Sequence, residues 1–134
     1  MIVLDNSVFM AALFDDEQLH AALILYGAVL SGEEDACVPP IFLYEACNAV
    51  VQSKRRGRIS DKAASDYFSR VYDFPAQVDT AQEMPVVVEL STKYDLTVYD
   101  ASYLELCKRK RVPLATLDKA LTAAAVKEKA ALIF

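Results

Sequence analysis

Short apolar runs alternate along this chain with segments long enough for helices, and that alternation restricts the fold more than any other feature. Ile2–Leu4 reads as a buried strand that hands over at Asp5-Asn6-Ser7 to a helix expected through Leu13. Asp15, Asp16 and Glu17 then place acids at the start of a second helix over 19–30, which Gly32 closes. Residues 36–38 are the next strand candidate, and Pro39-Pro40 starts a helix that runs to about Lys54, with Gly57 beyond its end. Ser60 caps a helix over 61–72. A weak third strand is expected at 76–78, followed by a helix to about Tyr94 whose start is blurred by Pro85 and by Val86-Val87-Val88. Thr97 caps a helix over 98–109, residues 113–115 form a strand candidate, Asp118 opens a helix, and 131–133 is the final strand candidate. Parallel strands need crossover connections that helices usually supply, so this order predicts an α/β sandwich around a mainly parallel sheet.

At 134 residues the chain is expected to form a single domain, residues 1–134, with no repeat, linker or low-complexity tract. The longest apolar stretch, 21–30, is half what a membrane-spanning helix requires, and Asp5 arrives with no Lys or Arg before it. No membrane association and no secretory signal are therefore expected, and the location read from the chain is cytoplasmic. Cys37, Cys47 and Cys107 lack metal-ligand spacing and read as buried thiols in a reducing compartment. The net charge of −5 argues against a uniformly basic surface, yet eight of the 14 basic residues fall in two runs. These are Lys54, Arg55, Arg56 and Arg58, and Lys108, Arg109, Lys110 and Arg111. Each run also suits the dipole at the end of a helix.

In an open parallel sheet, ligands bind outside the carboxyl ends of the strands, which draws attention to Asp5 and Asp118. Both residues also suit a helix N-cap. Thr97-x-x-Asp100 similarly resembles a capping box, in which the Asp100 carboxylate reaches back to free amides. Glu45 is different. Over 41–51 its helix is apolar on nearly every side, Glu45 and Asn48 are the strongly polar members, and no basic residue stands three or four positions away. A buried, unpaired carboxylate is costly, so Glu45 either lines a narrow solvent-facing stripe or meets a cation. Asp5, Glu45, Asp100 and Asp118 together offer four hard oxygen ligands of the type that suits Mg²⁺ or Mn²⁺ rather than zinc.

The segments VLDNSVF, PPIFLYEACNAV and LTVYDASYLELCKRKRVPLATLDKAL, in that order, resemble PIN-domain proteins over essentially the whole chain, above all the VapC-like ribonuclease toxins of toxin–antitoxin systems. The resemblance implies a three-layer α/β/α sandwich and places Asp5, Glu45, Asp100 and Asp118 at the family's acidic, metal-binding and catalytic positions. Ser7 and Thr116 match small polar positions, either of which could orient a water. Also implied are Mg²⁺- or Mn²⁺-dependent endoribonuclease cleavage leaving a 5′-phosphate and a 3′-hydroxyl, a cognate antitoxin, and a homodimer. Tyr67, Phe68 and Tyr72 could contribute to the dimer surface or belong to the core. The basic runs, with Lys54, Arg55, Arg56, Arg58, Lys108 and Arg109 foremost, would attract an RNA backbone.

Two rival readings differ in testable ways. An aspartyl-phosphate phosphotransfer domain could use Asp5, but a haloacid-dehalogenase-like loop wants a second acid two residues on, where this chain has Ser7. A receiver-like domain wants its Asp near mid-chain, where the Lys54 basic run lies. The second rival is a PIN-like scaffold that binds RNA or protein without cutting. His20, the sole histidine, is expected to be structural or exposed.

Overall fold

Strand β1 (Ile2–Leu4) lies inside a parallel sheet of order β3-β2-β1-β4, with β2 at Ala36–Val38, β3 at Gln77–Val78 and β4 at Leu114–Ala115. The computed structural model describes residues 1–14 and 19–134, so the acids expected at 15–17 lie outside the described residues. The helices are α1 (Asn6–Leu13), α2 (His20–Ser31), α3 (Ile41–Arg55), α4 (Asp61–Tyr72), α5 (Met84–Tyr94), α6 (Val98–Lys110) and α7 (Lys119–Lys127). Helices α1 to α4 supply the crossovers from β1 to β3 and pack on one another, while α5 to α7 pack together around the return to β4. Right-handed crossovers in opposite directions place these groups on opposite faces of the sheet, giving the three layers.

Local chemistry explains most boundaries. Gly32 ends α2 in the left-handed conformation at φ +77°, and the Ser60 hydroxyl caps α4 by accepting the Ala63 N–H at 3.1 Å. Residues 131–133 do not form the expected strand. Leu132 alone bridges Leu114, because β4 offers only two residues for pairing and α7 is followed by a left-handed turn at Lys129. Among the described residues no helix is long and apolar enough to cross a membrane.

The core explains how the first layer is fixed. The Phe9 ring lies 4.8 Å from that of Phe74 and 5.1 Å from that of Phe42, and Tyr26 stacks on Phe74 at 5.4 Å. These rings join α1, α2, α3 and the approach to β3. Tyr67 is buried against Phe14, Phe68 packs against the core, and Tyr72 is exposed, so only the last of the three is available to a partner. His20 is exposed at the start of α2. Cys37 and Cys107 are buried, Cys47 half-buried, and all three are free thiols.

Phe9 sits at the centre of the aromatic cluster and is fully buried. Phe9→Ala is expected to cost about 3–5 kcal/mol through lost transfer energy and a residual cavity, read as a lowered urea midpoint.

Candidate active site

The chain steps outward from β1 to β2 and β3, then returns to the other side of β1 as β4. That reversal of direction opens a crevice at the carboxyl ends of β1 and β4. Asp5 leaves β1 at this point, and its N–H donates to the Ala115 carbonyl at 3.0 Å. The residue is only 5% exposed.

Asp5 occupies the N-cap position of α1 without making a side-chain capping bond. Its Oδ2 instead accepts the hydroxyl protons of Ser7 and Thr116, the latter at 2.7 Å. Both hydroxyls are aimed by the backbone, since Leu117 N–H donates to Ser7 Oγ and Asp118 N–H to Thr116 Oγ1, each at 3.0 Å. A hydroxyl has one proton to give. Ser7 and Thr116 therefore orient the Asp5 carboxylate with the one proton each has to give.

Glu45, in the second turn of α3, is half-buried, and its Oε2 accepts the phenol proton of Tyr103. Burial raises the Glu45 pKa above the ordinary value; the Tyr103 bond opposes this, and the charges of Asp5 and Asp100 add to it. Burial likewise raises the Asp5 pKa, against the Ser7 and Thr116 bonds and with Asp100 contributing in the same direction. Asp5, Glu45 and Asp100 thus act on one another as like charges.

Asp100 stands in the first turn of α6. The capping box closes differently from expectation: Thr97 Oγ1 accepts the Asp100 N–H at 3.0 Å, and the Asp100 carboxylate takes the Thr97 hydroxyl proton at 2.6 Å instead of a backbone amide. Asp118 is a true N-cap of α7, with Oδ1 accepting the Leu121 N–H at 2.7 Å. It joins the site through its own N–H, which holds Thr116.

Tyr103 belongs to the site although the sequence reading does not single it out. The signal that points to it is its spacing from Asp100, three residues on and so on the same face of the helix.

The carboxylates suit a divalent cation. Among the described residues none of Asp5, Glu45 and Asp100 pairs with Lys or Arg. Asn6 Oδ1 is a buried acceptor beside Asp5 that receives no hydrogen bond, an atom that calls for a water or another donor. Among the described residues no group of three or more His, Cys, Asp or Glu side chains is gathered closely enough to hold a metal ion. The donor chemistry, carboxylate oxygens without His or Cys, is of the kind that suits Mg²⁺, which keeps several waters and takes one or two carboxylates, rather than a tetrahedral zinc site.

The two basic runs differ. Lys54, Arg55, Arg56 and Arg58 are exposed around the end of α3, where Lys54 lies 3.3 Å from Asp61 and the Arg58 guanidinium sits 4.9 Å over the Phe14 ring. At about 1.5 Å per residue, Lys54 is roughly 14 Å along α3 from Glu45. In the second run Arg109 binds Glu105 at 2.6 Å and Asp79 at 2.8 Å, Lys110 binds Asp79 at 2.8 Å, and Lys108 pairs with Glu128. Lys108 and Arg109, expected to attract RNA, are thus each paired with a carboxylate, as is Lys54 of the first run, and Lys108 is exposed.

The family model described as "PIN domain" matches residues 2–127. The chain is 29% identical over 113 residues to Exonuclease VapC9 of Pyrobaculum aerophilum, covering 83% of each protein. It is 25% identical over 123 residues to Ribonuclease VapC3 of the same organism, covering 90% of this chain and 91% of the relative. The crystal structure of PAE2754 from Pyrobaculum aerophilum superposes with a TM-score of 0.76 at 25% identity, over 98% of this chain and 81% of the other.

The raised pKa of Asp5 fixes the sign of a pH effect. Its contribution to stability is fully present below the unfolded value, near ~3.9, and is lost as pH rises through the higher folded value. In EDTA at pH 7, Asp5→Asn should therefore melt above the wild type, with the gap closing as pH is lowered towards 4. Thermal melts across that range, followed by circular dichroism, measure it.

Proposed function

The chain belongs to the PIN domain family, and from that premise we propose that it is an endoribonuclease dependent on Mg²⁺ or Mn²⁺ that serves as the toxin of a toxin–antitoxin pair. What supports this reading is Asp5 at the strand-order switch, with the charges of Asp5 and Asp100 acting on Glu45 and that of Asp100 on Asp5, and with none of the three paired to Lys or Arg among the described residues. In this reading those three carboxylates, with Asp118, hold the metal. When bound, such an ion makes water acidic enough to attack phosphorus and stabilises charge on the leaving 3′-oxygen.

The chain's own residues do the positioning. Ser7 and Thr116 hold Asp5 by Oδ2 and leave Oδ1 for a ligand. Thr97 holds one oxygen of Asp100 in the same way. The Asp118 cap fixes the start of α7 and, through Thr116, the loop that closes the crevice. In this reading Lys54, Arg55 and Arg56, exposed at the far end of α3, attract the RNA backbone.

The partners in this reading are RNA, a cognate antitoxin and a second copy of the chain, all in the cytoplasm. An apolar cleft of about 280 Å³ next to the site, with Tyr44, Met84, Val98 and Tyr99 exposed around it, is surface that the homodimer would cover.

The names of the two relatives divide between exonuclease and ribonuclease, so the mode of attack needs its own test. A circular single-stranded RNA has no end from which to start. Purified protein with Mg²⁺ or Mn²⁺ should linearise it, leaving 5′-phosphate and 3′-hydroxyl termini, and EDTA should stop the reaction. Degradation of linear RNA alone would make the protein an exonuclease. Folded protein that binds RNA without cutting it would support the scaffold reading.

Asp5→Asn and Asp100→Asn should each lower kcat by at least about 10²-fold, through loss of charge stabilisation at the reacting phosphate, while far-UV circular dichroism stays native. Replacing Lys54, Arg55 and Arg56 together by Gln should weaken RNA binding. The slope of log K against log salt should fall by about 0.7 for each phosphate that the variant no longer neutralises, as measured by fluorescence anisotropy.

A further inference from the structure

We propose that Tyr103 is a positioning residue for the acidic site, fixing the Glu45 carboxylate between α3 and α6. The proposal rests on the reading of that site as a metal centre. Tyr103 is completely buried in α6, whose residues 101–107 are all withdrawn from solvent. Its ring therefore cannot turn without disturbing the core.

The phenol donates its one proton to Glu45 Oε2, across 58 positions of sequence. The phenol thus joins the helix that carries Glu45 to the helix that carries Asp100.

This arrangement has a consequence for ligand binding. Glu45 has a long side chain with several torsions, and it lies among like charges that push it away from Asp5 and Asp100. The Tyr103 bond holds it there against that repulsion and commits Oε2, leaving Oε1 for a ligand. Groups that orient metal-binding carboxylates typically affect metal affinity by about 10–100-fold.

Tyr103→Phe keeps the ring and deletes the hydroxyl. Mn²⁺ affinity would be measured by electron paramagnetic resonance for the wild type, Tyr103→Phe, Glu45→Gln and the double variant, alongside their melting temperatures. The expected result is at least a 10-fold loss of Mn²⁺ affinity in Tyr103→Phe with a cooperative melt retained. In the Glu45→Gln background, removing the hydroxyl should cause no further loss, because its effect passes through Glu45. An affinity within about twofold of wild type, or an equal loss in both backgrounds, overturns the proposal.

Metal-free crystal structures of the wild type and Tyr103→Phe decide the matter independently of metal binding. Glu45 should be ordered in the first and displaced or multiply placed in the second. A Glu45 that stays in place in the variant overturns the positioning role. Absence of Mn²⁺ binding by the wild type instead refutes the metal-centre reading.

Discussion

A carboxylate at the inner end of a parallel strand, nearly out of water and without a cation of its own, is the constraint around which the molecule is organised. Taking an ion such as that of Asp5 out of water costs several kcal/mol unless other groups replace the lost hydration. The fold replaces part of it with the Ser7 and Thr116 hydroxyls, each hydrogen bond to a charged group contributing about 1.5–3 kcal/mol. Because those hydroxyls are held by the backbones of Leu117 and Asp118, the bonds that solvate Asp5 also clamp the turn after β1 to the turn after β4. The crevice and the charge inside it are stabilised by the same contacts.

The acids of this protein fall into two populations, separated by whether the fold supplies a cation. Asp79 and Glu128 each receive two or more donors from Lys, Arg or Tyr side chains, and their pKa values fall, that of Glu128 to about 2. The stability they contribute is present above the unfolded carboxylate value and is lost as pH falls through the folded one. Asp5 and Glu45 behave oppositely, with burial raising both. Scaffold acids therefore favour the fold at neutral pH while the site acids oppose it. Among the described residues Asp79 pairs with two cations, whereas Asp5 and Glu45 pair with none.

Local signals in the sequence are enough to place most elements. Ser60, Pro39-Pro40, Gly32 and Thr97 mark helix ends by chemistry that acts within a few residues, and the strands at Ile2–Leu4 and Ala36–Val38 have the expected bounds. Expectation fails where the controlling contact is distant or the residue type unusual. Asp95 and Arg111 close α5 and α6 in left-handed conformations without being glycine. Residues 131–133 have strand composition but too short a partner in β4. The acids can be named individually, but the bond from Thr116 to Asp5 spans 111 positions and no local pattern reveals it. Resemblance to a family groups the four acids; composition does not tell Arg109, held by two carboxylates, from the exposed Arg55 and Arg56.

Helix α6 shows why the engaged cations still matter to the site. Near its start it carries Asp100 and Tyr103; near its end Arg109 grips Glu105 on the same helix and Asp79 just past β3. The segment between β3 and α5 is drawn onto the same helix, with Ala81 N–H donating to Asp79 Oδ1 at 3.0 Å and Glu83 N–H to Glu105 Oε1 at 3.4 Å. The outer strand and the central helix are thereby locked together by a cluster whose buried member, Glu105, would be costly to leave unpaired. Geometry at a charged site is only as reliable as the element that presents it. The Arg109 cluster, which contacts none of the site carboxylates among the described residues, anchors the helix from which Asp100 and Tyr103 are presented.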